Sequence, residues 1–227
     1  MKNEFDFLAQ MLNFLYKNTI NDKISYSDSV GWHTEYPHHR VNFYNDIPIS
    51  QVLGIYNLFN KEYFKDFSTI VEIGTYNGGL SSYIFDSKKD ECKFVTYDID
   101  SEINIAKNKR NNIDFRIGDC FEEKQFNEII DLIKRKDKTL LICDGGDKVQ
   151  EFNLFSKYLK IGDVVIIHDY KHDTSNDLWN QICEFWQWPY GYQSSYEDIK
   201  HSIFENGLEE YKNKESNFFL WGSFVKK

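Results

Sequence analysis

The stretch Thr69-Ile70-Val71-Glu72-Ile73-Gly74-Thr75-Tyr76-Asn77-Gly78-Gly79 decides how this chain reads. Residues 70–73 have the apolar, β-branched character of a buried strand, interrupted by one acid. Gly74 permits a sharp turn, and Gly78-Gly79 leads into Leu80–Ser87, read as a helix. Strand, glycine turn and helix N-terminus together shape a nucleotide-sized pocket at the carboxyl edge of a parallel sheet. The glycines are not spaced G-x-G-x-x-G, so the fingerprint of an NAD-dependent oxidoreductase is missing. Nor do they form G-x-x-x-x-G-K-[ST], so no lysine is placed to grip a phosphate.

Strand and helix signals alternate outward from this point. Strands are expected at Ile70–Ile73, Lys93–Tyr97, Ile113–Ile117, Thr139–Cys143 and Asp163–His168. Helices are expected at Leu80–Ser87, Ser101–Lys109, Glu122–Arg135 and Val149–Leu159. Alternation of this kind means βαβ units, hence a doubly wound α/β domain with a mostly parallel sheet. A further helix is expected over Asn176–Gln187, and a closing strand over Asn217–Val225. Upstream, Glu4–Lys17 and Ile47–Phe64 have helical spacing. Ser25–Arg40, with His33, His38 and His39, reads as a long loop of the kind that carries binding residues.

The 227 residues suffice for one domain with decorations. A net charge of -9 argues against a general nucleic-acid binder, which needs a basic footprint. The four cysteines form no C-x-x-C pair, so a reduced, cytoplasmic setting is the default. Neither a signal peptide nor a run of membrane-spanning length is apparent, and no membrane partner is expected.

Acids follow the strands at regular places. Asp98, with Asp100 as the alternate, ends the second, roughly 20 residues past the glycines, where a ribose diol would be held. Asp119 follows the third. Leu141-Ile142-Cys143-Asp144-Gly145-Gly146-Asp147-Lys148 follows the fourth, and His168-Asp169 the fifth. Two acidic strand ends side by side form a natural site for a hard cation.

Acid-x-Gly-x-x-x-Gly at Glu72, Gly74 and Gly78 resembles motif I of class I S-adenosylmethionine (SAM) methyltransferases. The later acids resemble the metal-dependent small-molecule O-methyltransferases, among them the catechol, macrocin and cephalosporin-hydroxylase-like groups. The resemblance runs from Ser68 to Tyr170, with the end strand in outline. It implies a Rossmann-like domain of seven strands over 67–227, behind an N-terminal helical and loop cap over 1–66 that makes substrate or oligomer contacts. It implies SAM held by Glu72, Gly74, Thr75, Tyr76, Gly78, Asp98, Asp119 and Asp144. It also implies a divalent cation, Mg²⁺ or Mn²⁺, on Asp144 and Asp169, with His168 as a third ligand or a neighbour of the ligands. His168 stands where those families more often have a carboxylate, and Asp147 where they have a histidine. The catalytic candidates are therefore Asp147, Lys148 and His168, with His172 and Asp173 behind them. The expected reaction is O-methylation of a hydroxyl on a sugar or other small polyhydroxyl molecule, possible in a homo-oligomer. A metal-independent enzyme and a catalytically impaired SAM binder are the alternatives. Asp-Gly-Gly-Asp differs from the Asn/Asp-Pro-Pro-Tyr/Phe of enzymes that methylate nucleic-acid bases.

Overall fold

The computed structural model describes residues 24–27, 41–44, 47–49, 61–76, 78–99, 112–171, 193–211 and 221–227. In chain order the elements are β1 (Ile24–Ser27), β2 (Val41–Tyr44), β3 (Ile47–Ile49), α1 (Lys61–Phe64), β4 (Thr69–Ile73), α2 (Gly79–Ser87), β5 (Lys93–Asp98) and β6 (Asp114–Ile117). They continue with α3 (Glu123–Ile133), β7 (Thr139–Cys143), α4 (Lys148–Phe155), β8 (Val164–Ile167), β9 (Tyr170–Lys171), β10 (Ser194–Ser195), α5 (Tyr196–Glu205), β11 (Leu208–Glu210) and β12 (Gly222–Lys226).

The main sheet has seven strands in the order β11-β12-β8-β7-β4-β5-β6. From β8 to β6 every pair is parallel, and β12 is antiparallel to both β8 and β11. This is the Rossmann-like order expected from the sequence, with β4 central and its order reversing there. The period of two along each strand sorts the core into two layers. Ile70, Phe94, Leu140, Ile142, Val164 and Ile166 pack with Phe64, Phe67, Tyr83 and Trp221 on one face. Val71, Ile73, Val95, Tyr97, Leu141, Val165 and Ile167 pack with Ile129, Phe152, Phe155 and Ile199 on the other. Strands covered on both faces read as unbroken apolar runs, which is why β4, β7 and β8 are legible. A fully buried side chain of this size contributes about 1.5–3 kcal/mol relative to leaving it in water.

The N-terminal part departs from expectation. Ile47–Ile49 is a strand, not the start of a helix, and only Lys61–Phe64 of the expected Ile47–Phe64 helix is described as helical. Ser25–Ser27, expected in a loop, pairs with β2, and β2 pairs with β3, in a small antiparallel sheet beside α2. Ile47 and Ile49 share one strand face, while Ile49 with Val52, Leu53 and Tyr56 has helical spacing, which is what the sequence reading follows. The expected helices Glu4–Lys17, Ser101–Lys109 and Asn176–Gln187 lie outside the described residues. So do the three loop histidines, Asp100, His172, Asp173 and the first part of the closing strand. Among the described residues, no helix is long and apolar enough to cross a membrane.

Candidate cofactor and acceptor site

Everything converges at the carboxyl edge of β4, β5, β7 and β8. Glu72 lies on β4 with no solvent exposure. One carboxyl oxygen, Oε2, accepts the hydroxyl of Ser81 from the first turn of α2. The other, Oε1, is buried and has no hydrogen-bond partner among the described residues. Burial pushes its carboxyl up to about 8; hydrogen bonds from Ser81 and Thr96 pull the other way, and the charges of Asp144 and Asp98 add to the rise. A buried acid with an idle oxygen is well suited to an incoming ammonium group.

The turn that follows is held by its own backbone. The amides of Gly74 and Thr75 donate to the Tyr97 carbonyl at 2.9 and 3.2 Å, and that of Gly78 to Thr75 at 2.8 Å. The Tyr76 amide donates to Asp98 Oδ2 at 2.8 Å. The Thr75 and Thr96 hydroxyls lie 2.5 Å apart. These amides are therefore committed, and a carboxylate brought here meets instead the N-terminus of α2, which has no side-chain cap. Gly74 has a packing duty in this turn. It sits at φ 95°, and a Cβ there would stand 2.1 Å from the Asp144 carbonyl oxygen. Its bareness lets the turn lie against the backbone after β7. Tyr76 also has positive φ and is half exposed at the rim.

Asp98 anchors the Tyr76 amide, so it fixes the turn from the end of β5. Asp119, after β6, accepts the Phe121 amide at 2.9 Å and closes a local turn. Both stand at successive strand ends, and each has a structural task.

The next two strand ends carry a compact charge cluster. His168 Nδ1 is 3.0 Å from Asp144 Oδ1 and 3.2 Å from Asp169 Oδ1. Lys148 Nζ is 3.3 Å from Asp169 Oδ2 and donates to the Gly145 carbonyl and to Gln193 Oε1, both at 2.9 Å. His168 and Lys148 are buried. Burial alone would lower the imidazole, but Asp169 and Asp144 overcome it and hold it up at about 9. Burial alone would raise Asp169, but His168 and Lys148 keep it below its ordinary range. The imidazole packs on the Trp221 ring, centroids 4.4 Å apart. Asp169 takes the left-handed region at φ 53°, uncommon for a residue with a side chain. Its carbonyl accepts the amides of Gln193 and Ser194, which brings β10 beside β9 and Gln193 to Lys148.

Two catalytic candidates also have structural tasks. Asp147 is exposed and is the N-cap of α4, accepting the Gln150 amide at 3.0 Å. Lys148 has three acceptors around Nζ, one for each N–H of an ammonium. The sequence reading missed Gln193, Ser81, Trp221 and Glu151. Glu151 accepts the Gly145 amide at 3.2 Å; burial lifts its carboxyl to about 7, against that hydrogen bond. Its position one turn inside α4, facing the strands, was the available signal.

The idle oxygen of Glu72 and the uncapped α2 fit the ammonium and carboxylate of a SAM-like amino-acid tail. The divalent-cation expectation fares differently. The inward oxygens of Asp144 and Asp169 face N–H donors, and a nitrogen that donates to both cannot ligate through the same atom. No group of three or more potential ligands is arranged for a metal among the described residues. This arrangement does not fit a bound divalent ion.

No family model matches the chain, and no curated protein is similar to it in sequence. Solved structures are similar in fold. The CmcI-N160 apo-structure superposes with a TM-score of 0.53 at 18% identity, covering 87% of this chain and 79% of that one. A Staphylococcus aureus protein provisionally named a caffeoyl-CoA O-methyltransferase also gives 0.53 at 18%, covering 81% of this chain and 87% of its own. CmcI-D160, with magnesium and SAM, gives 0.51 at 19%, covering 88% and 80%. At these identities the likeness is one of fold, and the fold is the Rossmann-like methyltransferase fold.

Proposed function

We propose that this chain is a SAM-dependent methyltransferase that methylates a hydroxyl of a small polyhydroxyl molecule such as a sugar. The observation that carries the reading is Glu72, buried with one idle oxygen, beside an uncapped helix N-terminus at the reversal point of the sheet. The SAM bound in one structure of the same fold supports it.

When bound, SAM supplies a methyl group on a sulfonium. The chain's own residues do the rest. Glu72 would hold the ammonium of the amino-acid tail, and the first amides of α2 its carboxylate. Asp98 and Asp119, at the ends of β5 and β6, stand where the nucleoside would lie. Asp144, oriented by His168 through Oδ1, would accept the hydrogen bond of the acceptor hydroxyl and take up its proton. Positioning of acceptor and methyl donor supplies most of the acceleration. The acid cluster and the net charge of -9 favour a neutral small acceptor over a nucleic acid. The buried free cysteines Cys92, Cys120 and Cys143 accord with a reducing compartment such as the cytoplasm. Incubation with methyl-labelled SAM and a panel of sugars and phenols tests the reading. Label transferred to a hydroxyl of one class is expected; SAM binding without transfer to any acceptor would count against an enzyme.

A further inference from the structure

We infer that Lys148 and the N–H of His168 take the place of a divalent cation at this sheet edge, with Gln193 as the positioning residue that holds Lys148 there. The inference rests on the methyltransferase reading for the identity of the pocket, but not for its geometry. Two acids arriving on neighbouring parallel strands repel each other and need a cation or hydrogen-bond donors between them. Here the chain supplies the donors itself. His168 Nδ1 lies between Asp144 and Asp169, at 3.0 and 3.2 Å, and a carboxylate oxygen only accepts, so that nitrogen carries a hydrogen. Lys148 Nζ covers the other oxygen of Asp169 at 3.3 Å.

This placement is built rather than incidental. Lys148 is the first residue of α4, and its side chain folds back over the turn to the Gly145 carbonyl. Gln193 reaches the same nitrogen from 45 residues away, and does so because its own amide and that of Ser194 are anchored on the Asp169 carbonyl. Ser194 Oγ donates to the His168 carbonyl at 3.1 Å, tying the same strand to the imidazole's backbone. A divalent ion entering here would have to displace a buried ammonium and turn a buried ring that packs on Trp221. With cations already seated, the acceptor end of the pocket keeps its carboxylates ordered without metal.

The test uses the full-length protein stripped with EDTA. Mn²⁺ binding is followed by the loss of the free-ion electron paramagnetic signal, and SAM binding by calorimetry on the same samples. Wild type is expected to leave the Mn²⁺ signal unchanged into the millimolar range, with and without SAM. Lys148→Met uncovers Asp169 and is expected to bind Mn²⁺ at least about tenfold more tightly than wild type, since a positive charge beside the carboxylate is gone. Adding Asp144→Asn to it should abolish the gain, which a merely structural role for Lys148 would not produce. Micromolar Mn²⁺ binding by wild type that is lost in Asp144→Asn overturns the inference, and needs no variant of Lys148 to fold. A folded Lys148→Met protein that binds no more Mn²⁺ than wild type overturns it as well. Failure of wild type to bind SAM is a separate result and defeats the methyltransferase reading instead.

Discussion

Replacing Glu72 by Gln separates the cofactor reading from a purely structural one. Glu72 is fully buried, and its carboxyl stands at about 8 against an ordinary 4.5. Holding it protonated at pH 7.5, three pH units above where it titrates in the unfolded chain, costs about 4 kcal/mol at one pH unit per 1.36 kcal/mol. At pH 5 the same cost is below about 1 kcal/mol. The folded state binds the extra proton, so this residue's contribution to stability falls as pH rises from 4.5 through 8. Gln keeps the volume and an acceptor for Ser81, and it leaves one amide edge buried without a partner, at about 1–3 kcal/mol at every pH. The comparison between pH values is therefore the informative quantity. Relative to wild type, Glu72→Gln is expected to gain on the order of 3 kcal/mol between pH 5 and pH 7.5, read from urea denaturation of the ligand-free protein. In the same protein SAM should bind about 10–100-fold more weakly, for loss of a charge-assisted hydrogen bond. In wild type, SAM binding near neutral pH should release a proton, seen as a calorimetric enthalpy that depends on the buffer's ionisation enthalpy. Wild-type and variant stabilities that run parallel with pH would refute the reasoning about Glu72. Undiminished SAM affinity would refute its place at the amino-acid tail.

Other consequences follow from the same geometry. Gly74→Ala forces a Cβ to 2.1 Å from the Asp144 carbonyl at φ 95°. It should destabilise by about 3 kcal/mol or more, measured by denaturation; a loss below about 1 kcal/mol would mean the turn is not packed as described. Asp144→Asn should lower turnover at least about 100-fold with SAM affinity changed less than about threefold, which kinetics and calorimetry read separately. His168 has a folded-state value raised from 6.5 to about 9, so its stabilising share is whole below 6.5 and is lost as pH rises through 9. His168→Gln should flatten the stability profile across that window, and an unchanged slope would remove the imidazole from the charge cluster.

The fold was legible where physics leaves the chain little choice. β4, β7 and β8 are covered on both faces and are written mostly in apolar residues, and β12 overlaps the expected terminal run. Legibility failed where an element lacks that constraint. β3 is three residues long, and its Ile49 is also in helical spacing with Val52 and Leu53. α5 and β11 are largely polar and were not anticipated, although Ile199 and Leu208 anchor them to the core. At the site, the order of acids after successive strands was readable because a parallel sheet brings all its strand ends to one edge. Their pairing was not. Whether Asp169 meets a metal or an ammonium depends on Gln193 and Lys148, which only the tertiary structure brings together. Asp147 shows a simpler role: an acid just before a helix is most simply a cap, and it is one.

The most direct measurement is a crystal structure of the protein with S-adenosylhomocysteine, the product that SAM leaves after methyl transfer. The account predicts the ammonium of its amino-acid tail at Glu72 Oε1, its carboxylate at the first amides of α2, and its nucleoside beside Asp98 and Asp119. Density for the product elsewhere, or none after soaking at millimolar concentration, would contradict it.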